Sequence, residues 1–281
     1  MAPKRSSWKP PVSTSRVPAL VTTSSPMPFT FLRNWKRKRI MKQPFPATWE
    51  PHLHGLPFFH QLNGEEQAKL RRMVQVFVAE KDFEGCGGLK IDNSMRVGIA
   101  AQACLLILHL DHDWYHRVRT ILVYPSSFRS SFSETGPGGV VGPPSSAAHA
   151  GEAWLGGEVI FAWDSAFAGG RDGEDGRNPV FHEFAHKLDM LDGYADGTPP
   201  LASREQAEAW RAIATQSFHE LRQDAEARRR TLLDPYGATS PAEFFAVSTE
   251  CFFEQGRQLK AEHPSLYDQL RRFYRQDPAL R

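Results

Sequence analysis

Between Glu65 and Lys81 the large apolar residues fall at Leu70, Met73, Val74, Phe77 and Val78, a spacing of three and four that predicts an amphipathic helix. Met95–Leu110 is more continuously apolar and long enough to predict a helix buried on all sides. Arg119–Tyr124 (RTILVY), stopped by Pro125, and Gly157–Trp163 (GEVIFAW) read as strands. The Gly-, Ser- and Pro-rich stretch Ser126–Glu152 between them reads as a long surface loop. Helical periodicity dominates afterwards, from Pro179 to about Leu191, Ser203 to about Arg229, Pro241 to Glu254 and Pro264 to Arg275. There is no internal repeat, and few strands followed by many helices predict an α+β fold, mostly helical with a small sheet.

Composition changes this picture only at the N-terminus. Residues 1–26 contain 14 Ser, Thr or Pro, too little apolar surface to offset the entropy of ordering them. Met27 and Met41 are alternative starts behind that stretch. All ten Lys and Arg up to Trp49 come without a single acid, so the remainder holds 24 basic against 32 acidic residues. The body is therefore not a general nucleic-acid binder, and the only basic patch lies in the arm. FLRNWKRKRIMK (Phe31–Lys42) reads either as a short basic helix for an acidic or membrane surface or as a solvated tail. The expected organisation is a disordered basic extension over 1–42 and one catalytic domain over 43–281, helical over about 60–115 and catalytic over about 116–281. No apolar run is long enough for a membrane span or a secretory signal. Three widely spaced cysteines, Cys86, Cys104 and Cys251, fit reduced thiols in the cytoplasm.

The chemistry concentrates in NPVFHEFAHKLDMLDG. Asn178 and Pro179 supply an N-cap and a first-turn proline, and Gly193 a stop. Val180, Phe181, Phe184, Leu188 and Leu191 form one stripe of this helix, with His182, His186 and Asp189 on the other side. Two imidazoles one turn apart can reach a single Zn²⁺, and Glu183 stands beside them as a base for the attacking water. This is the H-E-x-x-H arrangement of zinc hydrolases, one metal ion per chain. The bland alternative is a solvated helix face that happens to carry two histidines.

A catalytic zinc needs a third protein ligand. Asp192 stands where an extended motif would place a third histidine, but Asp189 replaces the glycine that such a motif needs to turn. Glu243, 57 residues after His186 in LLDPYGATSPAEFFAVSTECFFE, is the other candidate. Ser240-x-x-Glu243 also spells a capping box, which alone would explain the glutamate. Glu250, two turns farther on the same face, is placed to orient a ligand histidine rather than bind metal.

HEFAHKLDMLDG, then DPYGATSPAEFFAVSTECFFE, then HPSLYDQLRRFYRQDP closely resemble the Mlc titration factor A family of zinc peptidases. YPSSF and IFAW belong to the same match, which runs from roughly Pro57 to the C-terminus. The resemblance implies a zincin-like domain whose zinc ligands are His182, His186 and Glu243, with Glu183 as general base. It implies further that Tyr236, otherwise an ordinary turn residue beside Pro235 and Gly237, is the active-site tyrosine that donates to the oxyanion. It also implies aminopeptidase-type cleavage of peptides in the cytoplasm, and binding of the glucose repressor Mlc, a role that the matching motifs do not assign to particular residues. A repressor-binding protein with a secondary peptidase site is the alternative reading. Gly157–Trp163 is expected as a sheet edge bordering the active-site cleft, with an interior strand as the alternative.

Overall fold

The helices that follow Asn63, Asp92, Asn178, Ser203 and Ser240 begin where a short polar side chain accepts the first free backbone N–H groups. The computed structural model describes residues 28–110, 112–126 and 157–281. The loop expected between the second and third strands lies, from residue 127, outside the described residues, as do residues 1–27. The chain divides into two units, residues 1–38 and 39–281. Helix α1, Pro28–Met41, is the described part of the basic arm. Of the two readings of Phe31–Lys42, the short helix is the one observed, and residues of good helix propensity such as Leu32, Lys36, Arg37 and Lys38 support it.

In the larger unit, two short helices, α2 (Glu50–His54) and α3 (Pro57–Gln61), lead to α4 (Gly64–Glu80). Asn63 starts α4 with a complete capping box. Its Oδ1 accepts from Glu65 and Glu66 N–H, while Glu66 Oε2 accepts from Asn63 N–H. Leu70, Met73, Val74 and Phe77 are buried as the periodicity requires. Strand β1 (Asp82–Gly85) follows, and then α5 (Asn93–Leu106), capped by Asp92 and buried on nearly every side from Met95 onward. α5 ends four residues before the expected Leu110.

Strands β2 (Thr120–Tyr124) and β3 (Glu158–Ala162) complete a three-stranded parallel sheet of order β1-β2-β3. Ile121 and Val123 pair with Val159 and Phe161, and these four are buried on one face. β3 has β2 as its sole neighbour among the described residues. It opens at Gly157, whose φ of +79° and position against Arg117 O leave no room for a Cβ atom. Trp163, expected within the strand, instead begins α6 (Trp163–Arg171).

Helix α7 (Pro179–Asp189) then crosses the core, capped by Asn178 Oδ1 and stopped by a 3₁₀ turn and Gly193 at φ +100°. Its Phe184 packs on Tyr115, Phe77 and Phe161, with ring centroids 4.7, 5.7 and 6.2 Å away. The long α8 (Arg204–Glu226) leads to α9 (Pro241–Glu254), followed by α10 (Gly256–Glu262) and α11 (Pro264–Tyr274). α9 covers the side of α7 opposite its apolar stripe, so His182 and His186 are themselves buried. All three cysteines are free thiols. Among the described residues no helix is long and apolar enough to cross a membrane.

Candidate metal centre

α7 and α9 each contribute to a cluster at their interface. Residues at i and i+4 share a helix face, and His182 Nε2 and His186 Nε2 converge to 3.2 Å. Glu243, in the first turn of α9, brings Oε2 to 2.9 Å from His182 Nε2 and 3.4 Å from His186 Nε2. The capping explanation for Glu243 accounts only for its backbone. Ser240 Oγ accepts from Glu243 N–H at 3.2 Å, but the Glu243 carboxylate turns to the histidines instead of closing the box. Asp192, the competing candidate, is exposed, accepts from Tyr194 N–H, and stays outside this group.

These atoms fit a metal ion. His182 Nδ1 donates to Glu250 Oε1 at 2.7 Å, so the ring, in the neutral form that binds a metal, keeps its lone pair on Nε2. That lone pair faces a carboxylate oxygen and a second imidazole nitrogen, an arrangement that a shared cation relieves. Three donors each about 2.0–2.1 Å from a tetrahedral centre would lie about 3.3 Å apart, close to the spacings found here. Burial alone would push the His182 pKa down, but the carboxylates of Glu250 and Glu243 on either side outweigh it and hold it well above the ordinary value. Burial lowers His186. Glu243 is raised by burial but held well below the usual carboxylate range by hydrogen bonds from both rings.

Glu183 points from the same helix with its carboxyl pushed up to about 7. Burial is the main cause; His182 and Lys187 pull the other way. Tyr236 sits in a 3₁₀ turn, Pro235–Ala238, with its ring centroid 6.1 Å from that of His182. Its phenol is raised by burial and by the neighbouring carboxylates of Glu243, its hydrogen-bond partner, and Glu183. Beside these groups opens a cavity of about 320 Å³, lined by Pro179, His182, Tyr236, Val247 and Glu250 among others.

Glu250 orients His182, as its place two turns after Glu243 suggested. The residue that sequence reasoning undervalued is Asn178. Besides capping α7, its N–H donates to Glu250 Oε2 (2.5 Å), and its Nδ2 donates to Gly169 O (3.1 Å) and Glu254 Oε1 (3.0 Å). Burial pushes the Glu254 carboxyl up to about 9. Asp234 was also passed over, although D-P-Y-G is a turn signature. Its Oδ1 accepts from Tyr236 N–H (2.9 Å) and its Oδ2 pairs with Arg177 (2.8 Å).

Two imidazoles and a carboxylate converging beside a half-buried glutamate define a metal-dependent hydrolase type of centre. The chain belongs to the family described as glucose-regulated metallo-peptidase M90, whose model matches residues 32–275 and so reaches into α1, earlier than the resemblance suggested. It is 40% identical over 249 residues to the uncharacterized protein slr2042 of Synechocystis sp., covering 88% of this chain and 90% of that one. It is 31% identical over 252 residues to Mlc titration factor A of Escherichia fergusonii, covering 88% and 92% of the two chains. Mlc titration factor A of Cronobacter sakazakii is 32% identical over 243 residues, covering 84% and 88%.

Proposed function

We propose that this protein is a zinc-dependent aminopeptidase-type metallopeptidase, acting on peptides in the cytoplasm with one Zn²⁺ per chain. The observation that carries the reading is the convergence of His182, His186 and Glu243 within 3.4 Å, with Glu183 on the intervening turn. In this reading His182, His186 and Glu243 hold the metal and Glu183 is the general base. Zinc, when bound, supplies a Lewis acid that polarises the peptide carbonyl and acidifies water. Glu183 takes a proton from the attacking water and returns it to the leaving amine, a role suited by a carboxyl raised toward neutrality. Tyr236 donates its hydroxyl to the developing oxyanion, which relieves its position beside Glu243.

β3 is the proposed edge against which an extended peptide lies in a zincin-like cleft. Two observations support it: β3 pairs on one side only among the described residues, and Glu158 on β3 attracts Lys187, one turn after Glu183. The catalytic domain is taken as residues 43–281, with 60–115 supporting the site-bearing part from 116. The test is hydrolysis of amino-acid anilides and short peptides by the zinc-loaded protein, beside the Glu183→Gln variant. Zinc retained with turnover lost in the variant supports the assignment. No hydrolysis of any panel member by the loaded wild type overturns it.

A second reading, binding of an Mlc-type repressor, is favoured by the printed name of the relatives at about 31% identity. Glu183→Gln also separates the two: repressor binding that survives loss of hydrolysis makes them distinct functions.

A further inference from the structure

Arg177 and Asn178 are adjacent, yet they lead to the two halves of the site. Asn178 reaches His182 through Glu250, as described. Arg177 reaches Tyr236 through Asp234, whose Oδ2 lies 2.8 Å from the guanidinium and whose Oδ1 accepts the Tyr236 N–H. Asp234 is largely buried, with its side chain 13% exposed, whereas that of Arg177 is 52% exposed. An ion pair half open to solvent contributes little to stability, commonly less than a surface loop tolerates losing. What it does supply is direction. Asp234 has both oxygens committed, one to the loop that starts α7 and one to the turn that presents the tyrosine. Arg177, Asp234, Tyr236 and His182 all line the same cavity.

We infer that the Arg177–Asp234 pair is a positioning device that holds the Tyr236 hydroxyl in register with the metal-binding face of His182. This rests on the peptidase reading above and on the part proposed there for Tyr236. A hydrogen bond to an oxyanion is effective only at close, fixed geometry, so a tyrosine released from its anchor loses transition-state stabilisation while leaving ground-state binding alone. Neither residue of the pair touches the reacting atoms in this scheme. Their effect passes entirely through the tyrosine.

The experiment uses the zinc-loaded full chain and four single variants: Arg177→Ala, Arg177→Lys, Asp234→Asn and Tyr236→Phe. It also uses the double variant Arg177→Ala/Tyr236→Phe. Asp234→Asn keeps an acceptor for the Tyr236 N–H but removes the charge, so it separates the pair from the turn it caps. Arg177→Ala and Asp234→Asn are expected to lower kcat about 5–50-fold with KM and zinc content unchanged, and Arg177→Lys to restore most of it. In the Tyr236→Phe background, Arg177→Ala should add less than about a twofold loss, because the two changes remove one interaction. Calorimetric binding of a phosphinic peptide, a mimic of the tetrahedral oxyanion, should weaken by the same factor as kcat, and equally non-additively.

Wild-type kcat in Arg177→Ala, or additive losses in the double variant, would overturn the inference. So would a raised KM at constant kcat, which would mean that Arg177 contacts substrate directly. In each of those cases Tyr236→Phe still lowers kcat and the peptidase reading stands. Failure of that reading is a different result: the loaded wild type neither turns over peptides nor binds the phosphinic mimic, and the inference falls with it.

Discussion

Glu250 Oε1 lies 2.7 Å from Nδ1 of His182, on the side of the ring opposite Glu243. A ligand histidine whose remote nitrogen is held by a buried carboxylate has its tautomer and its tilt decided before a metal arrives. Glu250→Ala is therefore expected to weaken zinc binding by about 10–100-fold, measured by competition with a chromophoric chelator. Glu250→Gln keeps an acceptor for the Nδ1 proton and should fall between alanine and wild type. Equal zinc affinity in Glu250→Ala and wild type would leave this contact with a packing role only.

Ser240 and Glu243 act through different atoms, and substitution should separate them. Ser240→Ala removes the cap of α9 and is expected to cost about 1 kcal/mol in thermal or urea unfolding while zinc stoichiometry stays at one. Glu243→Ala should lower zinc affinity by orders of magnitude with a smaller effect on unfolding of the metal-free chain, because the carboxylate faces the histidines and not the cap. Full zinc occupancy in Glu243→Ala would remove it from the ligand set.

Chelation should leave the fold standing. The core runs through α4, α5, α7 and α9 and is built mainly of apolar side chains, with Phe59, Phe161, Phe184, Phe245 and Phe252 among its fully buried rings. Treatment with a strong chelator is expected to lower Tm by an amount that depends on free zinc, with little change in far-UV circular dichroism. Cooperative unfolding on chelation would assign the metal a structural role instead.

Glu254 makes the stability depend on pH in a particular sense. Its carboxyl is near 9 in the folded protein against an ordinary value of 4.5, so the folded state holds a proton that the unfolded chain releases between those values. Stability is favoured at low pH and lost as pH rises from about 4.5 toward 9. Glu254→Gln mimics the protonated acid and removes that loss. The variant should be more stable than wild type by about 3 kcal/mol at pH 7, with the gap closing toward pH 4.5 and widening toward pH 9. Urea unfolding of both proteins at pH 5, 7 and 8.5 checks it, and a gap independent of pH would refute it.

The long periodic elements were legible because burial and helix period leave a direct imprint on residue order. α4, α7, α9 and α11 all begin at or within a residue of the expected positions. β1 left no such imprint: in Asp82–Gly85 only Phe83 is buried, and a short strand held by backbone pairing to β2 needs no apolar alternation. α6 was hidden by Gly169 and Gly170, which look like loop residues. They serve close packing, since a Cβ at Gly169 would sit 2.9 Å from Pro179 Cδ and one at Gly170 2.8 Å from Gln102 Nε2. Within the site, His182, Glu183 and His186 were legible from local spacing. Glu243 had two readings in its local sequence, cap or ligand; the family resemblance favoured the ligand, and the fold turns its carboxylate toward the two histidines. The Arg177–Asp234 pair joins loops 57 residues apart and has no local signature.

Asn178 gives the site an unusual kind of rigidity toward change. Its N–H goes to Glu250, its C=O accepts the N–H of His182, its Oδ1 serves Val180 and Phe181, and its two amide hydrogens go to Gly169 and Glu254. Aspartate would supply the acceptor without the donors, and would set a third carboxylate against two others. Serine and threonine lack the second arm, and glutamine carries the same groups one methylene too far from the backbone. Of the twenty side chains one answers all of these demands together. A position that looks, along the chain, like any helix start is thus written in an alphabet of a single letter, and drift there is closed even to chemically near neighbours.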